Sequence, residues 1–156
     1  MRVTICAVGR LRRSPEAALT ADYLQRFDRT GRPLGLGPAT VSEIDERKAQ
    51  DRAAQGALLA AAIPEGAALW ALDERGDALG SPAFACRIAG LRDGGARHLC
   101  LAIGGADGLA PALRERADFT LSLGPMVWPH RLVRVMLAEQ LYRAASILAG
   151  TPYHRG

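Results

Sequence analysis

The chain has 156 residues, of which 49% are hydrophobic and 23% are charged, and its formal net charge is +4. These values are typical of one globular domain, residues 1–156, with a sizeable core. No run of 18 apolar residues is present, and the N-terminal arginine cluster follows an apolar stretch, so we expect no membrane span, no signal peptide and a cytoplasmic protein. The three cysteines form no CxxC pair, which argues against a structural zinc or disulfide site.

The positive charge lies mainly in the two ends of the chain. Residues 1–32 hold seven arginines and three acidic residues, and residues 125–156 hold four arginines and one acidic residue. The middle, residues 33–124, holds nine basic and twelve acidic residues. Basic ends favour a nucleic-acid partner. However, 19 of the 20 basic residues are arginine, a bias that codon composition alone also produces.

Strand-like and helix-like segments alternate along the chain. The residue patterns predict strands over 3–8, 40–44, 67–72, 99–103 and 119–123, and helices over 15–29, 46–63, 82–92, 111–117 and 130–149. Ser-Pro pairs at 14–15 and 81–82 are typical of helix starts, and Asp45 is expected to cap the helix from residue 46. This order predicts an α/β fold with a mainly parallel sheet and helices on both faces.

Two predicted strands end in glycine-containing loops. Gly104 and Gly105 follow the apolar strand at 99–103, and Gly124 follows the strand at 119–123. Glycine lets a backbone come close to a ligand, and ligands bind at the carboxyl edge of parallel sheets. Two interpretations stay open from the residues alone: one pocket built from both loops, or two ordinary turns.

The last predicted helix is apolar over more than half of its circumference, with Gln140 and Arg143 inside that arc. A helix that covers one sheet face has a narrower apolar stripe. We therefore expect a homodimer with this helix in the interface. Glu139 and Arg143 are spaced i, i+4, so they either pair on one helix or cross the interface.

Several common chemistries leave no motif in the sequence. It contains no GxxxxGK[ST], GxGxxG or GxSxG pattern and no His/Asp/Glu cluster at metal-ligand spacing, so we expect no metal. His98 is expected only to precede a strand, and His130 is open between a helix-start residue and a site residue. His154 is expected to be functional, because the terminal TPYHRG shows no core role.

Three segments resemble one family of RNA-modifying enzymes: IGGADGLAP at 103–111, WPHRLVRVMLAEQLYRA at 128–144, and TPYHRG at 151–156. The family is that of the bacterial large-subunit ribosomal RNA pseudouridine N3-methyltransferase, a small member of the SPOUT class. The resemblance covers the chain in length and element order, and its specific part is residues 101–155. It implies a C-terminal trefoil knot, which runs against the general expectation of unknotted chains.

The resemblance further implies that S-adenosylmethionine binds, bent, in the knot. Its pocket would be formed mostly by backbone groups and apolar walls, and it coincides with the pocket inferred from the glycine loops. The implied cofactor-binding residues are Leu72, Gly104, Gly105, Gly124, Pro125, Met126, Val127, Trp128 and Pro129. The Gly124-Pro125 pair is this sequence's own variation of that loop.

The reaction implied by the resemblance is metal-free methylation of N3 of a pseudouridine in large-subunit ribosomal RNA, on the assembled ribosome. The candidate catalytic residues lie in the C-terminal tail: Tyr153, His154 and Arg155. The candidate RNA-binding residues are Arg10, Arg12, Arg13, His130 and Arg143. If the chain dimerises through its last helix, the tail is expected to reach the cofactor pocket of the other subunit.

Two alternative functions stay open at this point. One is a SPOUT methyltransferase that acts on another RNA, such as transfer RNA. The other is a noncatalytic RNA-binding module, which would bind S-adenosylmethionine weakly or not at all.

Overall fold

A computed structural model describes residues 1–154 of the chain. Its strands are β1 (Arg2–Val8), β2 (Ala39–Ile44), β3 (Ala68–Ala78), β4 (His98–Ile103) and β5 (Phe119–Ser122). Its α-helices are α1 (Pro15–Gly31), α2 (Arg52–Ala62), α3 (Ser81–Asp93), α4 (Pro111–Glu115) and α5 (His130–Leu148), and two short 3-10 helices span Arg32–Leu34 and Glu46–Lys48. None of these helices combines the length and the apolar composition needed to cross a membrane.

The five described strands pair in parallel, in the order β2-β1-β4-β3-β5. Helices α1, α3 and α5 pack on one face of the sheet, through residues such as Phe27, Phe84 and Leu137. Helices α2 and α4 pack on the other face, through Leu59 and Leu113. The predicted α/β fold, with helices on both faces of a parallel sheet, is confirmed. The trefoil knot stays a prediction.

The parallel arrangement brings several loops to one edge of the sheet. β1 and β4 run side by side, with Arg2 opposite His98 and Ala7 opposite Ile103, so they end at the same level. β3 lies on the other side of β4, β5 lies beside β3, and both run in the same direction as β4. The loops after β1, β4 and β5 therefore meet at the carboxyl edge, where α/β proteins bind ligands.

The predicted helix over 46–63 is wrong, because the chain forms two separate elements there. Asp45 caps only a 3-10 turn, by accepting a hydrogen bond from the Arg47 amide at 3.1 Å. Ala49 is extended and 3% exposed, and α2 begins only after Asp51. The Asp51 carboxylate accepts from the Ala54 amide at 2.7 Å, so two successive aspartates each cap their own element.

The third strand is longer than predicted, since it ends at Ala78 instead of Leu72. Leu72 and Asp77 both pair with Leu121 of β5, so residues 73–76 leave the sheet and the chain then rejoins it. The sequence after Leu72 is polar, which is why alternation of apolar residues did not reveal the second half of this strand.

The start of α3 also differs from the predicted cap. Gly80 occupies the N-cap position, and Ser81 is the first helical residue. The Ser81 hydroxyl instead donates a hydrogen bond to Gln140 Oε1 of α5, at 2.8 Å. A serine predicted to stabilise its own helix thus joins two helices.

The broad apolar surface of α5 is covered partly within the same chain. α5 packs against α1, α3 and the sheet, and it buries residues such as Leu137, Leu141 and Ala145. Leu132 remains 41% exposed, while Val135 and Met136 are half-buried. These three residues follow helical spacing and form a second apolar stripe outside the core, here called the α5 stripe.

Because Asp51 caps the start of α2, its replacement by alanine should destabilise the protein. Asp51→Ala removes an N-cap, so we expect the free energy of unfolding in urea to fall by about 1 kcal/mol. Asp51→Ser, which keeps a capping oxygen, should change it by much less. If one helix ran through this position, alanine would instead stabilise the protein by about 0.5 kcal/mol, because alanine is the better helix former.

Candidate active site

The carboxyl ends of β3, β4 and β5 enclose a cavity of about 330 Å³, here called the edge cavity. Its lining also includes the start of α5. The predicted cofactor-binding residues that line it are Leu72, Gly104, Gly105, Gly124, Met126, Val127 and Trp128. Pro125 and Pro129 lie in the same loop but outside this lining. Three loops from distant parts of the sequence thus form one concave site.

Two glycines allow backbone segments to touch beside the edge cavity. A Cβ on Gly104 would lie 2.3 Å from the carbonyl carbon of Gly108, so the loop 104–108 closes only without a side chain there. A Cβ on Gly76 would lie 2.6 Å from the Thr120 carbonyl oxygen, where β3 rejoins β5. The first approach closes the loop after β4, and the second holds β3 against β5.

Gly105 has a different environment from the one its sequence position suggests. A Cβ at this position would lie 2.9 Å from Gln55 Oε1 and 3.3 Å from Val8 Cγ1. It would therefore meet the side chains of α2 and β1 and would not fill the edge cavity. Because the end of the Gln55 side chain is flexible, a single methyl group is easier to accommodate here than at Gly104.

Residues 73–75 form a charged wall of the edge cavity. The Asp73 carboxylate accepts hydrogen bonds from the Arg75 amide at 3.0 Å and from the Arg114 guanidinium at 3.1 Å. Burial alone would raise the pKa of Asp73, but these hydrogen bonds outweigh it and lower the pKa. Asp73 is therefore a carboxylate that fixes the shape of this wall.

The loop after β5 presents apolar side chains to solvent. Gly124 has φ +103°, a conformation that glycine adopts readily, and its amide donates to the Ser122 hydroxyl at 3.1 Å. Met126 is 65% exposed, Val127 85% and Trp128 37%. Exposed apolar groups around a cavity are available to a ligand or to a second protein surface.

Three side chains converge on Gly9 at the end of β1. The point that a Cβ of Gly9 would occupy lies 3.2 Å from Glu46 Oε2, 3.5 Å from Arg134 Nη2 and 3.6 Å from His130 Nε2. Gly9 has φ +85°, a conformation that favours glycine, and a Cβ there would crowd the end of the Glu46 side chain. We call this arrangement the Gly9 cluster.

Arg134 of α5 is the fixed charge of the Gly9 cluster. It is completely buried, and its Nη1 donates to Glu43 of β2 at 2.9 Å. Its Nη2 donates to the carbonyl oxygens of Val8 and Gly9 at the end of β1. One side chain therefore ties α5 to the first two strands. Sequence analysis did not identify Arg134, because its partners lie more than 90 residues away.

His130, which the sequence left open, lies in the lining of the edge cavity at the start of α5. Its side chain is half-buried. Burial lowers the pKa of His130, and the positive charges of Arg134 and Arg131 lower it further, while Glu46 acts in the opposite direction. The imidazole is thus neutral at physiological pH and has a free lone pair.

The N-terminal arginines lie on the same edge of the sheet. Arg10, Arg12 and Arg13 are exposed in the loop after β1. Leu11 between them is buried, and its amide donates to the Glu43 carboxylate at 2.9 Å. The loop is anchored by this residue. Arg10 pairs with Asp45 at 3.6 Å, and all three arginines stay exposed.

The C-terminal tail packs against the middle of α5. The Tyr153 ring lies 4.4 Å from the Tyr142 ring, and its hydroxyl donates to Glu139 Oε1 at 2.9 Å. Arg143 stacks 4.7 Å from the Tyr153 ring and donates to the same carboxylate from Nε at 3.0 Å. Burial and the Glu139 carboxylate raise the pKa of Tyr153, so it remains a neutral phenol.

This position separates the tail from the edge cavity of its own chain. Glu139 follows His130 by nine residues, which is about 13 Å along the helix. His154 is half-buried, and its Nδ1 has no hydrogen-bond partner among the described residues. Arg155 lies outside the described residues. The structure therefore does not bring Tyr153 and His154, the two candidate catalytic residues that it describes, into the lining of the edge cavity of the same chain.

Sequence analysis missed further polar residues of the site. Asp73 directly follows a predicted apolar strand, and Asp107 lies within the glycine loop. Their positions at the carboxyl edge of the predicted sheet could have identified both as site residues. Arg114 and Arg134 lie within helices, and no local sequence pattern marked them as site residues. Between residues 1 and 154, no group of three His, Cys, Asp or Glu side chains is arranged to hold a metal ion.

Comparison with known families agrees with this fold. The family model described as "Predicted SPOUT methyltransferase" matches residues 1–154. The chain is therefore a member of a class of enzymes that use S-adenosylmethionine. Two solved structures share the fold: a probable methylase family protein from Haemophilus influenzae Rd KW20 and a probable methyltransferase from Bordetella pertussis Tohama I.

The first of these solved structures has a TM-score of 0.54 and 10% identity, with 99% of this chain and 70% of that chain covered. The second has a TM-score of 0.52 and 17% identity, with 92% of this chain and 96% of that chain covered. At these identities the likeness concerns the fold alone.

Three known proteins are much more similar in sequence. They come from Ruegeria pomeroyi (64% identical), Dinoroseobacter shibae (63%) and Roseobacter denitrificans (64%), and each alignment covers 99% of both chains. All three are named "Ribosomal RNA large subunit methyltransferase H". The chain belongs to this family.

The two adjacent glycines should respond differently to the same substitution. Gly104→Ala places its methyl group against backbone atoms, so we expect overpacking to lower the free energy of unfolding by about 1–3 kcal/mol. Gly105→Ala should cost less than about 1 kcal/mol, because the Gln55 side chain can move away. Chemical unfolding of both variants measures the difference, and equal losses would contradict the geometry described for this loop.

Proposed function

We propose that the protein methylates large-subunit ribosomal RNA with S-adenosylmethionine bound in the edge cavity. The observation that carries the proposal is the coincidence of three loops, each expected from the family resemblance to bind the cofactor, in one cavity. The names of the highly similar relatives support the RNA substrate. The finer assignment, N3 of a pseudouridine on the assembled ribosome, comes from the resemblance.

The size and the chemistry of the edge cavity fit this cofactor. Its volume of about 330 Å³ lies within the range of small-molecule sites. Apolar residues such as Ile103, Leu121 and Val133 line its interior, which suits the adenine ring. Asp73 and Asp107 also line the cavity, and their carboxylates favour a ligand with cationic groups.

S-adenosylmethionine, when bound, supplies an electrophilic methyl group on a sulfonium. The chain's own residues then have two tasks, to hold the acceptor base in line with that methyl group and to receive the proton of its nitrogen. Residues 104–108 and residues 73–75 form the rigid part of the lining of the site. The apolar side chains of Met126 and Trp128 line the cavity and remain exposed, so they are available to pack on the cofactor or on the RNA.

The exposed arginine loop after β1 is suited to hold the RNA. Arg10, Arg12 and Arg13 lie on the same edge as the cavity, so RNA phosphates bound there would place a nearby base at its mouth. His130 extends this surface to the cavity itself.

Replacing these three arginines by glutamine should weaken RNA binding. We expect the slope of log affinity against log salt to flatten by roughly one for each lost phosphate contact, with unchanged affinity for S-adenosylmethionine. A matched control replaces Arg29, Arg32 and Arg97, which are exposed at the opposite edge and carry the same charge. Equal slopes for both triple variants would contradict a specific RNA contact by the β1 loop.

The exposed apolar groups support a homodimer. The α5 stripe, Leu132, Val135 and Met136, adjoins a groove of about 560 Å³ between α1, α5 and the ends of β3 and β5. Homodimer interfaces are more apolar than the remaining surface. The tail packs beside this groove, because Glu139 belongs both to the groove and to the Tyr153 contact. A second subunit seated here would meet the tail of the first, which favours a site composed of both subunits.

A complementation experiment tests the composite site. Deleting residues 153–156 should abolish methyl transfer without changing cofactor affinity, and Ala106→Trp should fill the edge cavity from its exposed rim. Neither homodimer is then active. Exchange of subunits places one intact site in about half of the dimers, so we expect activity to return in the mixture. A mixture that forms mixed dimers and stays inactive would mean that tail and cavity act within one chain.

Transfer of a labelled methyl group tests the function itself. Purified protein and tritiated S-adenosylmethionine are incubated with assembled ribosomes, isolated large subunits, naked ribosomal RNA and transfer RNA. We expect label in large-subunit RNA, at N3 of a pseudouridine, with assembled ribosomes as the best substrate. Label in transfer RNA would favour the first alternative. No transfer together with no cofactor binding would favour a noncatalytic RNA-binding module.

A further inference from the structure

The edge cavity contains one side chain suited to receive a proton near neutral pH. Among the described residues of its lining, the other charged groups are three carboxylates and a guanidinium: Asp73, Glu74, Asp107 and Arg75. Asp73 is held by Arg114, and an ordinary carboxylate is too weak a base to take the proton of a uracil-type nitrogen efficiently. His130 has the intrinsic basicity that this step requires.

The surroundings of His130 favour its neutral form. On its own helix it is close to Arg131 and to the buried Arg134, whose guanidinium is held rigidly by Glu43 of β2. These positive charges disfavour the imidazolium, as does partial burial, and the pKa of His130 is lowered as a result. A base whose resting state is already unprotonated is ready to accept a proton at pH 7.

The 3-10 turn after β2 supplies the opposing charge. Glu46 Oε2 and His130 Nε2 lie 3.2 and 3.6 Å from the same point beside Gly9, so both belong to one small cluster. A carboxylate at this position stabilises the imidazolium once it has formed. The Gly9 cluster thus combines a fixed cation that keeps the base neutral with an anion that supports its protonated form.

Resting on the proposed function, we propose that His130 is the catalytic residue that accepts the N3 proton of the target base. The N3–C bond forms as the sulfonium C–S bond breaks, and the cofactor leaves as a neutral thioether. The N3 proton passes to the imidazole of His130 and then to solvent. Charge and atoms balance without any further reactant.

Tyr153 of the tail is less suited to this step in the described conformation. Tyr153 donates its phenolic hydrogen to Glu139, and its pKa is raised, so it acts as a donor and not as a base. Tail residues are better suited to position the RNA, as aromatic and charged groups commonly do. His154→Gln distinguishes the two histidines: it should retain the pH dependence that His130 confers.

The test compares His130→Gln with His98→Gln in single-turnover methylation of the ribosomal substrate between pH 5.5 and pH 9. His98 is a half-buried histidine at the start of β4. Its side chain is hydrogen-bonded to Thr4, and it lies at the end of the sheet opposite the carboxyl edge. We expect His130→Gln to lower the rate at pH 7 by about 100-fold or more, with unchanged S-adenosylmethionine affinity by calorimetry. His98→Gln should match the unsubstituted protein.

Nuclear magnetic resonance of the imidazole provides a readout that does not depend on activity. The pKa of His130 should lie below the ordinary value of about 6.5. Glu46→Gln should lower it further, because it removes the anion that stabilises the imidazolium. Since the neutral form is the active one, the acidic limb of the rate profile should move to lower pH by the same amount.

Two results would overturn the assignment while leaving the methyltransferase function intact. One is a full rate in a folded His130→Gln protein. The other is an acidic limb that stays fixed while the pKa of His130 moves in Glu46→Gln. An unsubstituted protein that methylates no RNA would contradict the proposed function and this inference with it.

Discussion

Close contact between backbone segments at the carboxyl edge of the sheet is the constraint on which the site depends. Where β3 rejoins β5, Gly76 lies against Thr120, and the loop after β4 closes where Gly104 lies against Gly108. A side chain at either glycine would separate segments that now touch. The first contact joins residues 44 positions apart in sequence and the second closes a short loop, so the shape of the cavity depends on backbone contacts as well as on the side chains that line it.

A second constraint is the buried charge of Arg134. Burying a guanidinium is costly unless it is paired and hydrogen-bonded. Here a carboxylate of β2 binds Nη1 and the carbonyl groups of Val8 and Gly9 bind Nη2, while Nε has no hydrogen-bond partner among the described residues. The same residue thereby fixes the start of α5 and influences the ionisation of His130. The loop after β1, the edge cavity and the last helix are thus linked through one side chain.

Much of the fold could be predicted from local patterns, because parallel strands buried on both faces are short continuous apolar runs and glycines mark their ends. Prediction failed where local signals compete or partners are distant. Two candidate caps, Asp45 and Asp51, six residues apart, divided one predicted helix into two elements, and the polar second half of β3 was hidden. Loop glycines indicated the cavity, whereas nothing near Arg134 in sequence indicated its distant partners. Gly105 was expected to leave space for a ligand, but a Cβ there would instead meet the side chains of Gln55 and Val8.

The most direct test of the central claim is calorimetric titration of S-adenosylmethionine into the unsubstituted protein, Ala106→Ser and Ala106→Trp. Ala106 lies on the exposed rim of the edge cavity, so the indole fills the space without disturbing the core. Binding by the first two proteins and a loss of at least about 100-fold in the third, with unfolding free energies within about 0.5 kcal/mol of one another, is the predicted result. Equal affinity in all three proteins would contradict cofactor binding in this cavity.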